Sequence, residues 1–368
     1  MGKEIVLRPA RGIKVVAAAM AGGLTLGAAA ACSSAPTTTP TTNASAGTYT
    51  TCMVTDIGGI DDRSFNTSAF KGLTNAKAAS ATLAEPKNVS SKAEADYVPN
   101  LTQYVQQGCK FILAVGGLMG NATSQVAKAN PTQQFAIVDF KAPESNVYSM
   151  QFDTAQAAFL AGYLAAGYSK SGKVATYGGL KIPPVTIFMD GFADGVAYYN
   201  QKKGKNVQVL GWGKAAQTGT FAESFIDQAK GKALSDAFVA QGADVILPVA
   251  GGTGLGTAAA AKAANNAYVV IWVDVDGCVS TDYCKGLLTT VQKNISDSVR
   301  DAVLRGAKGE SLKPSDGFIG TLKNNGVSIA PYHEFDSKID PALKAEVEQL
   351  KADIISGKVT VSSPSSPK

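Results

Sequence analysis

Two segments of this chain repeat each other in order and in character. Residues 108–140 read GCKFILAVGGLMGNATSQVAKANPTQQFAIVDF, and residues 242–276 read GADVILPVAGGTGLGTAAAAKAANNAYVVIWVDVD. Each segment has an apolar run, a pair of glycines, an alanine-rich stretch, a second apolar run and an aspartate near its end. Apolar runs without alternation are typical of strands that are buried on both faces. The repeat therefore predicts two similar lobes, each built from strands that alternate with helices.

The rest of the chain continues this alternation. From Tyr49 onward, short apolar runs such as VYSMQF, KVATYGG and GLLTTVQ are separated by helix-like stretches such as TAQAAFLAGYLAAGYSKSG. There are more apolar runs than one small sheet would hold. The pattern predicts an α/β fold with two parallel sheets, each flanked by helices.

Composition narrows the classes of function. The chain has 368 residues, of which 45% are hydrophobic and 17% charged, and this is typical of a folded protein with room for two lobes. The net charge of +5 is mild and no long run of Lys or Arg occurs, so we expect no nucleic-acid partner. The single histidine, His333, argues against a His-based metal site and against a Ser-His-Asp triad.

The first 47 residues have a different character. A basic start is followed by an apolar, alanine-rich run from Val15 to Ala31 and then by Cys32. The run is short for a membrane span, and its AAAAC ending resembles a bacterial lipoprotein signal, in which the cysteine becomes the lipidated N-terminus. We expect residues 1–31 to be this signal peptide and residues 32–47 to be the lipidated cysteine and a Ser/Thr/Pro tether. A plain secretory signal that is cut nearby is the alternative.

The cysteines are consistent with export. Apart from Cys32, four remain, and an even number outside the cytoplasm suggests disulfides. Cys278 and Cys284 bracket the short loop CVSTDYC, whereas Cys52 and Cys109 each begin a strand-like run and would meet on neighbouring parallel strands. Four free, buried thiols are the alternative, and the spacings do not match a metal knuckle.

The ends of the strand-like runs carry the candidate ligand groups. Ligands of open α/β sheets bind beyond the carboxyl ends of the strands, and two lobes that face each other there would enclose a small molecule. Polar residues and glycines stand at these ends in both halves, namely Asp56, Gly116, Gly117 and Asp139 in the first and Gly251, Gly252 and Asp274 in the second.

A dinucleotide cofactor is not expected. The stretch VAGGTGLGT, residues 249–257, has G-x-G spacing, but Ala259 stands where the fingerprint needs its third glycine. Backbone amides at a helix N-terminus that face a ligand, or a tight turn, remain the two explanations of these glycines.

One motif is similar to a known family. The stretch TDIGGIDDRSFNTSAFKGL, residues 55–73, resembles the signature of the basic membrane protein family of bacterial lipoproteins, the purine nucleoside receptor type of ABC-transporter substrate-binding proteins. The segments FAIVDF, AAFLAGYLAA, VTIFMDGFADG, ILPVAGGTGLG, VIWVDVDG, LTTVQKNISDSV and IISGKVTV agree in order. The resemblance covers residues 49–361. Within the motif, N-capping by Ser64 or Asp62 would explain one polar residue but not all of them.

The resemblance implies the two-lobed type I periplasmic-binding fold with three hinge crossovers. The first lobe would comprise residues 48–163 and 290–328. The second lobe would comprise residues 164–289 and 329–361. Residues 362–368 would be a flexible tail.

The resemblance also implies a ligand site between the lobes. From the first lobe, Asp56 and Asn66 would form hydrogen bonds with the ligand, Phe65 would stack on one face of a base, and Asp139 would accept hydrogen bonds from the edge of the base.

The second lobe would complete this site. Phe221 would stack on the other face of the base, Gly251 and Gly252 would offer backbone groups, Asp274 would bind the ribose hydroxyls, and Lys293 would reach the same region from a crossover. A carboxylate suits adjacent hydroxyl donors, and a buried aspartate needs a partner such as Lys293.

Some of these assignments have rivals. Gly277 stands where the family usually has Gln, so Asp276 competes with Asp274 for the ribose. Phe188 and Phe192 compete with Phe221 as the second-lobe aromatic, and Phe192 is the better candidate for the core.

The resemblance implies a binding protein and not an enzyme. It would be a monomeric, extracytoplasmic lipoprotein that is anchored to the cell membrane through Cys32. It would bind inosine, guanosine or adenosine and deliver it to the permease and ATPase of an importer. Two alternatives remain: an exported nucleoside hydrolase or phosphorylase that uses the paired acids of GGIDDRS, and a sugar- or autoinducer-binding protein on the same scaffold.

Overall fold

The computed structural model describes residues 48–368. The predicted signal peptide, lipidated Cys32 and tether lie outside the described residues. The strands are β1 (Thr51–Thr55), β2 (Lys87–Ser90), β3 (Phe111–Val115), β4 (Gln134–Val138), β5 (Val147–Phe152), β6 (Lys173–Gly178), β7 (Gln208–Leu210), β8 (Trp212–Gly213), β9 (Thr218–Gly219), β10 (Val245–Val249), β11 (Val269–Asp274), β12 (Leu287–Lys293), β13 (Phe318–Gly320) and β14 (Val327–Ile329). The helices are α1 (Phe65–Ala79), α2 (Tyr97–Gln106), α3 (Gly120–Ala129), α4 (Thr154–Tyr168), α5 (Pro183–Lys203), α6 (Gln228–Ala240), α7 (Gly254–Ala263), α8 (Gly277–Ser280), α9 (Ile295–Ala307) and α10 (Pro341–Ile355).

The strands form two six-stranded sheets and one short ribbon. The first sheet has the order β13-β5-β4-β3-β1-β2 and all its neighbouring strands are parallel. The second has the order β14-β12-β11-β10-β6-β7 and is parallel except where β14 joins β12. The repeated segments form β3-α3-β4 and β10-α7-β11. In each sheet the two strands of the repeat lie next to each other, at the third and fourth places of the strand order. The predicted pair of parallel, helix-flanked sheets is confirmed.

The chain crosses between the sheets three times, as predicted. It passes from β5 to β6, from β12 to β13, and from β13 to β14. The crossovers lie side by side, because the amide of Asp153 donates to the carbonyl of Gly320 at 2.8 Å and the amide of Asn294 donates to the carbonyl of Gly326 at 2.9 Å. These bonds join the first and second crossovers to the third. The expected lobe boundaries at 163/164 and 289/290 fall inside α4 and β12.

Helices α4 and α5 pack almost backbone to backbone. A Cβ atom placed on Gly195 would lie 2.0 Å from the carbonyl oxygen of Phe159, and one placed on Gly162 would lie 2.1 Å from that of Phe192. Glycine is required at both positions because any larger side chain would overlap the neighbouring helix. This contact fixes α5, whose first turns form a wall of the cleft described below.

Two disulfides cross-link the fold, one between residues 57 positions apart and one between residues 6 positions apart. Cys52 at the start of β1 is bonded to Cys109, which precedes β3, and Cys278 is bonded to Cys284 across the loop that follows α8. Among residues 48–368, no helix combines the length and the hydrophobicity that a bilayer span requires.

We expect Gly195→Ala to lower the free energy of unfolding by about 1–3 kcal/mol, because the added methyl group must push α4 and α5 apart. Alanine normally favours a helix interior by about 1 kcal/mol over glycine, so a loss of stability would report the helix contact itself. Chemical denaturation measures the change. The control is Gly213→Ala, whose Cβ would come no nearer than 3.6 Å to another residue outside its chain neighbours. Equal stability of the Gly195→Ala variant and the parent would contradict the close packing.

Candidate ligand-binding cleft

A cavity lies between the two sheets at the carboxyl ends of their strands. The space inside it that is not filled by protein atoms, open solvent at its mouth included, measures about 540 Å³. Nine ligand residues were predicted from the sequence, and two of them, Phe221 and Gly252, do not line this cavity. The other seven do, namely Asp56, Phe65, Asn66, Asp139, Gly251, Asp274 and Lys293.

The polar loop before α1 is organised by Asp62. Its buried carboxylate accepts hydrogen bonds from the backbone amides of Ser64, Asn66 and Thr67 at 3.0, 2.7 and 3.1 Å, and from the Thr67 hydroxyl at 2.9 Å. Burial raises the pKa of Asp62, and these donors oppose the rise. The capping role considered for Asp62 thus extends to the whole loop, which holds Phe65 and Asn66 at the cavity wall. Asp61 and Arg63 are exposed.

Asp56 and Asn66 form a pair of acceptors in the first-lobe wall. One Asp56 oxygen accepts from the Gly58 amide at 2.9 Å and from Asn66 Nδ2 at 3.0 Å. Burial raises the pKa of Asp56 to about 6, although the two donors lower it. Asn66 Oδ1 is buried and has no hydrogen-bond partner within residues 48–368. A buried acceptor that lacks a partner is costly, so this atom is placed for a donor on a ligand.

Lys293 connects the two lobes. Its ammonium group, at the end of β12, forms a buried ion pair with Asp139, which follows β4 in the other sheet. The same Nζ lies 4.0 Å from Asp274 Oδ1 and 4.9 Å from the centre of the Phe65 ring. Ser64 donates to Asp274 Oδ2 at 2.9 Å, which is a second contact across the cleft. The lobes are therefore closed on each other.

The aspartates of the repeat share an unusual backbone conformation. Asp139 has φ +66° and Asp274 has φ +68°, both in the left-handed region. Non-glycine residues adopt this region rarely, and such strain gathers at functional sites. Burial raises the pKa of Asp139, against the effect of Lys293, and raises that of Asp274 to about 6, against Lys293 and Ser64. The repeat is thus preserved in the backbone as well as in residue type.

The second-lobe aromatics that line the cavity are Phe225 and Phe188, not Phe221. Phe221 packs edge to face on Trp212, with ring centres 6.0 Å apart, and lies against Gly178. The segment TFAESF contains both Phe221 and Phe225, and neither sequence spacing nor composition distinguishes them. Phe192 is fully buried in the core, as predicted for this rival.

Gly252 is buried behind the cavity wall, where an added Cβ would lie 3.1 Å from the carbonyl oxygen of Phe225. It therefore supports the aromatic loop instead of facing the cavity. Its neighbour Gly251 does line the cavity and has φ +50°, a conformation that favours glycine.

Asp276 lies outside the cavity. Its carboxylate caps α8 by accepting from the Cys278 amide at 3.0 Å and lies 2.7 Å from His333 Nε2. Between these two rivals, Asp274 is the one that lines the cleft. Asp276, Cys278 and His333 form the one group of three potential metal ligands found among the described residues, but Cys278 is bonded to Cys284.

The comparisons with known proteins agree with this geometry. A family model described as "ABC transporter substrate-binding protein PnrA-like" matches residues 49–363. The chain belongs to this family. A relative from Lactococcus lactis, named ABC transporter nucleoside-binding protein BmpA, is 32% identical over 333 residues, which cover 84% of this chain and 88% of the relative.

Members of the family carry other names as well. The CD4+ T-cell-stimulating antigen of Listeria monocytogenes is 32% identical over 331 residues, which cover 85% of this chain and 88% of that protein. A solved ABC transporter solute-binding protein from Aeropyrum pernix superposes with a TM-score of 0.76 at 24% identity, over 86% of this chain and 93% of that one. The type I periplasmic-binding fold predicted from the resemblance is confirmed.

We expect the buried aspartates to make stability depend on pH. The ordinary pKa of 3.8 rises to about 6 at Asp274, so the unfolded chain ionises first as pH rises and the folded state loses relative stability between about pH 4 and pH 6. Asp274→Asn should remove this loss and raise the free energy of unfolding at pH 7 by about 1–3 kcal/mol, with little change at pH 4.

Denaturation of the ligand-free protein at pH 4, 5, 6 and 7 measures this effect. Asp282→Asn, at an exposed position, is the control and should keep the parent's pH dependence. A pH dependence of Asp274→Asn equal to that of the parent would rule out a raised pKa at this position.

Proposed function

We propose that the protein is the extracytoplasmic substrate-binding lipoprotein of an ABC importer, and that it binds a purine nucleoside between its two lobes. The observation that carries this proposal is the combination in one cavity of aromatic rings from both lobes with buried acceptors that have spare capacity. A nucleoside offers the complementary features, because it has a flat base, N–H donors on that base and adjacent ribose hydroxyls.

The base would lie between the lobes. Phe65 stands on the first-lobe wall, and Phe188 and Phe225 stand on the second-lobe wall. Stacking on an aromatic side chain contributes about 1–3 kcal/mol per base. The spare acceptor Asn66 Oδ1 and the carboxylate of Asp56 would then accept from N–H groups at the edge of the base. Inosine and guanosine present such donors on their six-membered ring, and adenosine presents an amino group.

The ribose would lie next to Asp274 and Lys293. Asp274 Oδ1 is 4.0 Å from Lys293 Nζ, which is beyond hydrogen-bonding distance, so this oxygen remains open to hydroxyl donors. Bonds from hydroxyls to a carboxylate are charge-assisted and are stronger than neutral ones. Lys293 keeps its ion pair with Asp139 and limits the net negative charge of the cleft.

The paired acids do not favour the hydrolase alternative. Asp61 is exposed. Asp62 lines the cavity, but both of its oxygens accept hydrogen bonds from residues 64–67, which hold the carboxylate in a structural role and weaken it as a base. The name of the Lactococcus lactis relative, a nucleoside-binding protein of an ABC transporter, also supports binding without chemistry. Within this proposal, the lipid on Cys32 and the tether hold a monomer at the membrane near its permease and ATPase.

We expect Phe225→Ala to weaken nucleoside binding by about tenfold to a hundredfold, because one stacking face is lost. Phe65→Ala should have an effect of similar size. Phe221→Ala is the matched control, since this phenylalanine lies in the same loop but outside the cavity. The affinity of this variant for the nucleoside should stay within about threefold of that of the parent. Isothermal titration calorimetry, after unfolding and refolding to remove carried ligand, measures these affinities.

The titration panel is inosine, guanosine, adenosine, cytidine, uridine and ribose, and each is recovered afterwards and checked for cleavage. One-to-one binding of an unchanged purine nucleoside is the expected result. Release of free base would make the protein an enzyme, and binding of ribose alone would favour the sugar-binding alternative. A larger loss in Phe221→Ala than in Phe225→Ala would contradict the assignment of the stacking residue.

A further inference from the structure

Residues 362–368, SSPSSPK, are hydrogen-bonded to the rest of the fold. We call this segment the strap. Five contacts, taken here in chain order, hold it in place. Lys214 Nζ donates to the main-chain oxygen of Ser362 at 2.7 Å, and Ser363 Oγ donates to Asp190 at 2.6 Å. Ser365 Oγ lies 2.9 Å from Thr186 Oγ1, Ser366 Oγ donates to Asp153 at 3.0 Å, and Lys141 Nζ donates to the main-chain oxygen of Lys368 at 2.6 Å.

The order of these contacts runs from one lobe to the other. Thr186 and Asp190 belong to α5, which packs with the second sheet, and Lys214 follows strand β8. Asp153 is the residue at which the first crossover begins, and its amide is bonded to the third crossover. Lys141 follows β4 of the first sheet. The strap therefore starts on the second lobe, touches the hinge and ends on the first lobe.

The strap also covers the rear of the ligand cavity. A second cavity, of about 330 Å³, is lined by Ser365 and Pro367 of the strap together with Asp139 and Lys293. The same aspartate and lysine line the main cavity. The buried ion pair thus has the ligand cleft on one side and the strap on the other.

A buried carboxylate anchors the strap. Asp190 is fully buried and accepts three hydrogen bonds: from Trp212 Nε1 at 2.9 Å, from Gln217 Nε2 at 2.9 Å and from Ser363 Oγ. Phe188 and Val185, which lie two and five residues earlier in α5, line the ligand cavity. The strap is therefore bonded to the helix that forms the second-lobe wall.

We propose that the strap is a clasp across the hinge that stabilises the closed state and slows the release of ligand. The proposal rests on the proposed function. The five contacts are made while the lobes are closed. Rotation about the crossovers would change the separation between Asp190, in α5 of the second lobe, and Lys141, which follows β4 of the first sheet, so opening must break contacts at one end. An interaction that exists in one of two states shifts the equilibrium toward that state. The family model ends at residue 363, so most of the strap lies beyond the matched segment.

The test compares the parent with the triple variant Ser363→Ala, Ser365→Ala, Ser366→Ala. The matched control is Ser362→Ala, because the Ser362 side chain is exposed and its contact uses only the backbone. Stopped-flow measurements give the rates of inosine binding and release. Small-angle X-ray scattering of the ligand-free protein gives the radius of gyration, which does not depend on any ligand.

We expect the triple variant to release inosine about tenfold faster than the parent, with an association rate within about twofold, because lost hydrogen bonds at the hinge destabilise the closed state. Its ligand-free radius of gyration should be larger, and Ser362→Ala should match the parent in both measurements. Equal release rates and equal scattering in the triple variant and the parent would overturn the proposal.

Two further outcomes are decisive as well. If the parent binds no nucleoside of the panel, the proposed function fails, and the strap is judged by scattering alone, with equal radii overturning it. If the triple variant does not fold, Ser366→Ala is measured in its place by the same criteria. This change removes the contact with Asp153 and the hydrogen bond that Ser366 Oγ accepts from the Ser363 amide at 3.2 Å.

Discussion

The buried ion pair between Lys293 and Asp139 is the interaction around which the cleft is arranged. It joins the two sheets at the point where their strand ends face each other, and it lies between the ligand cavity and the rear cavity. Two further buried carboxylates line the same cavity: Asp274 lies 4.0 Å from Lys293 Nζ, and Asp56 is bonded to Gly58 and Asn66. Their raised pKa values report that burial costs more than their partners return. One ion pair thus stabilises the closed cleft, whereas the carboxylates of Asp56 and Asp274 have no close positively charged partner among residues 48–368.

This lack of close partners has a thermodynamic role in binding. Buried carboxylates whose donors do not offset the cost of burial, and an amide oxygen that has no donor in the described part of the chain, lower the stability of the closed, ligand-free protein. A ligand that supplies N–H and O–H groups reduces this cost on binding. The aromatic walls add an attraction that depends little on the identity of the base. Selectivity among purine nucleosides is therefore expected to arise at Asp56 and Asn66, where individual donors are needed, and general affinity from the rings of Phe65 and Phe225.

The repeat at residues 108–140 and 242–276 was sufficient to predict the sheets, because continuous apolar runs have few other uses in a soluble chain. It also located the strand ends, and hence most of the cavity wall. The choice between Phe221 and Phe225 could not be made in that way, since both lie in one irregular segment and differ only in their tertiary neighbours: Phe221 packs on Trp212 and Gly178, whereas Phe225 lines the cavity. The composition of SSPSSPK is typical of a flexible tail, and the partners that hold it, among them Asp190 and Asp153, lie more than 170 residues earlier in the chain.

The left-handed backbone at Asp139 and Asp274 restricts which residues can replace these two aspartates during evolution. Asparagine and glycine adopt the left-handed region at low cost, whereas β-branched and bulky residues do not. Substitutions that keep the fold at these two positions therefore exchange a carboxylate for an amide or for no side chain. None of the phenylalanines that line the cavity has a positive φ, so this restriction does not apply to Phe225. New ligand preferences in descendants of this protein would consequently arise more readily at Phe225 than at the paired strand ends.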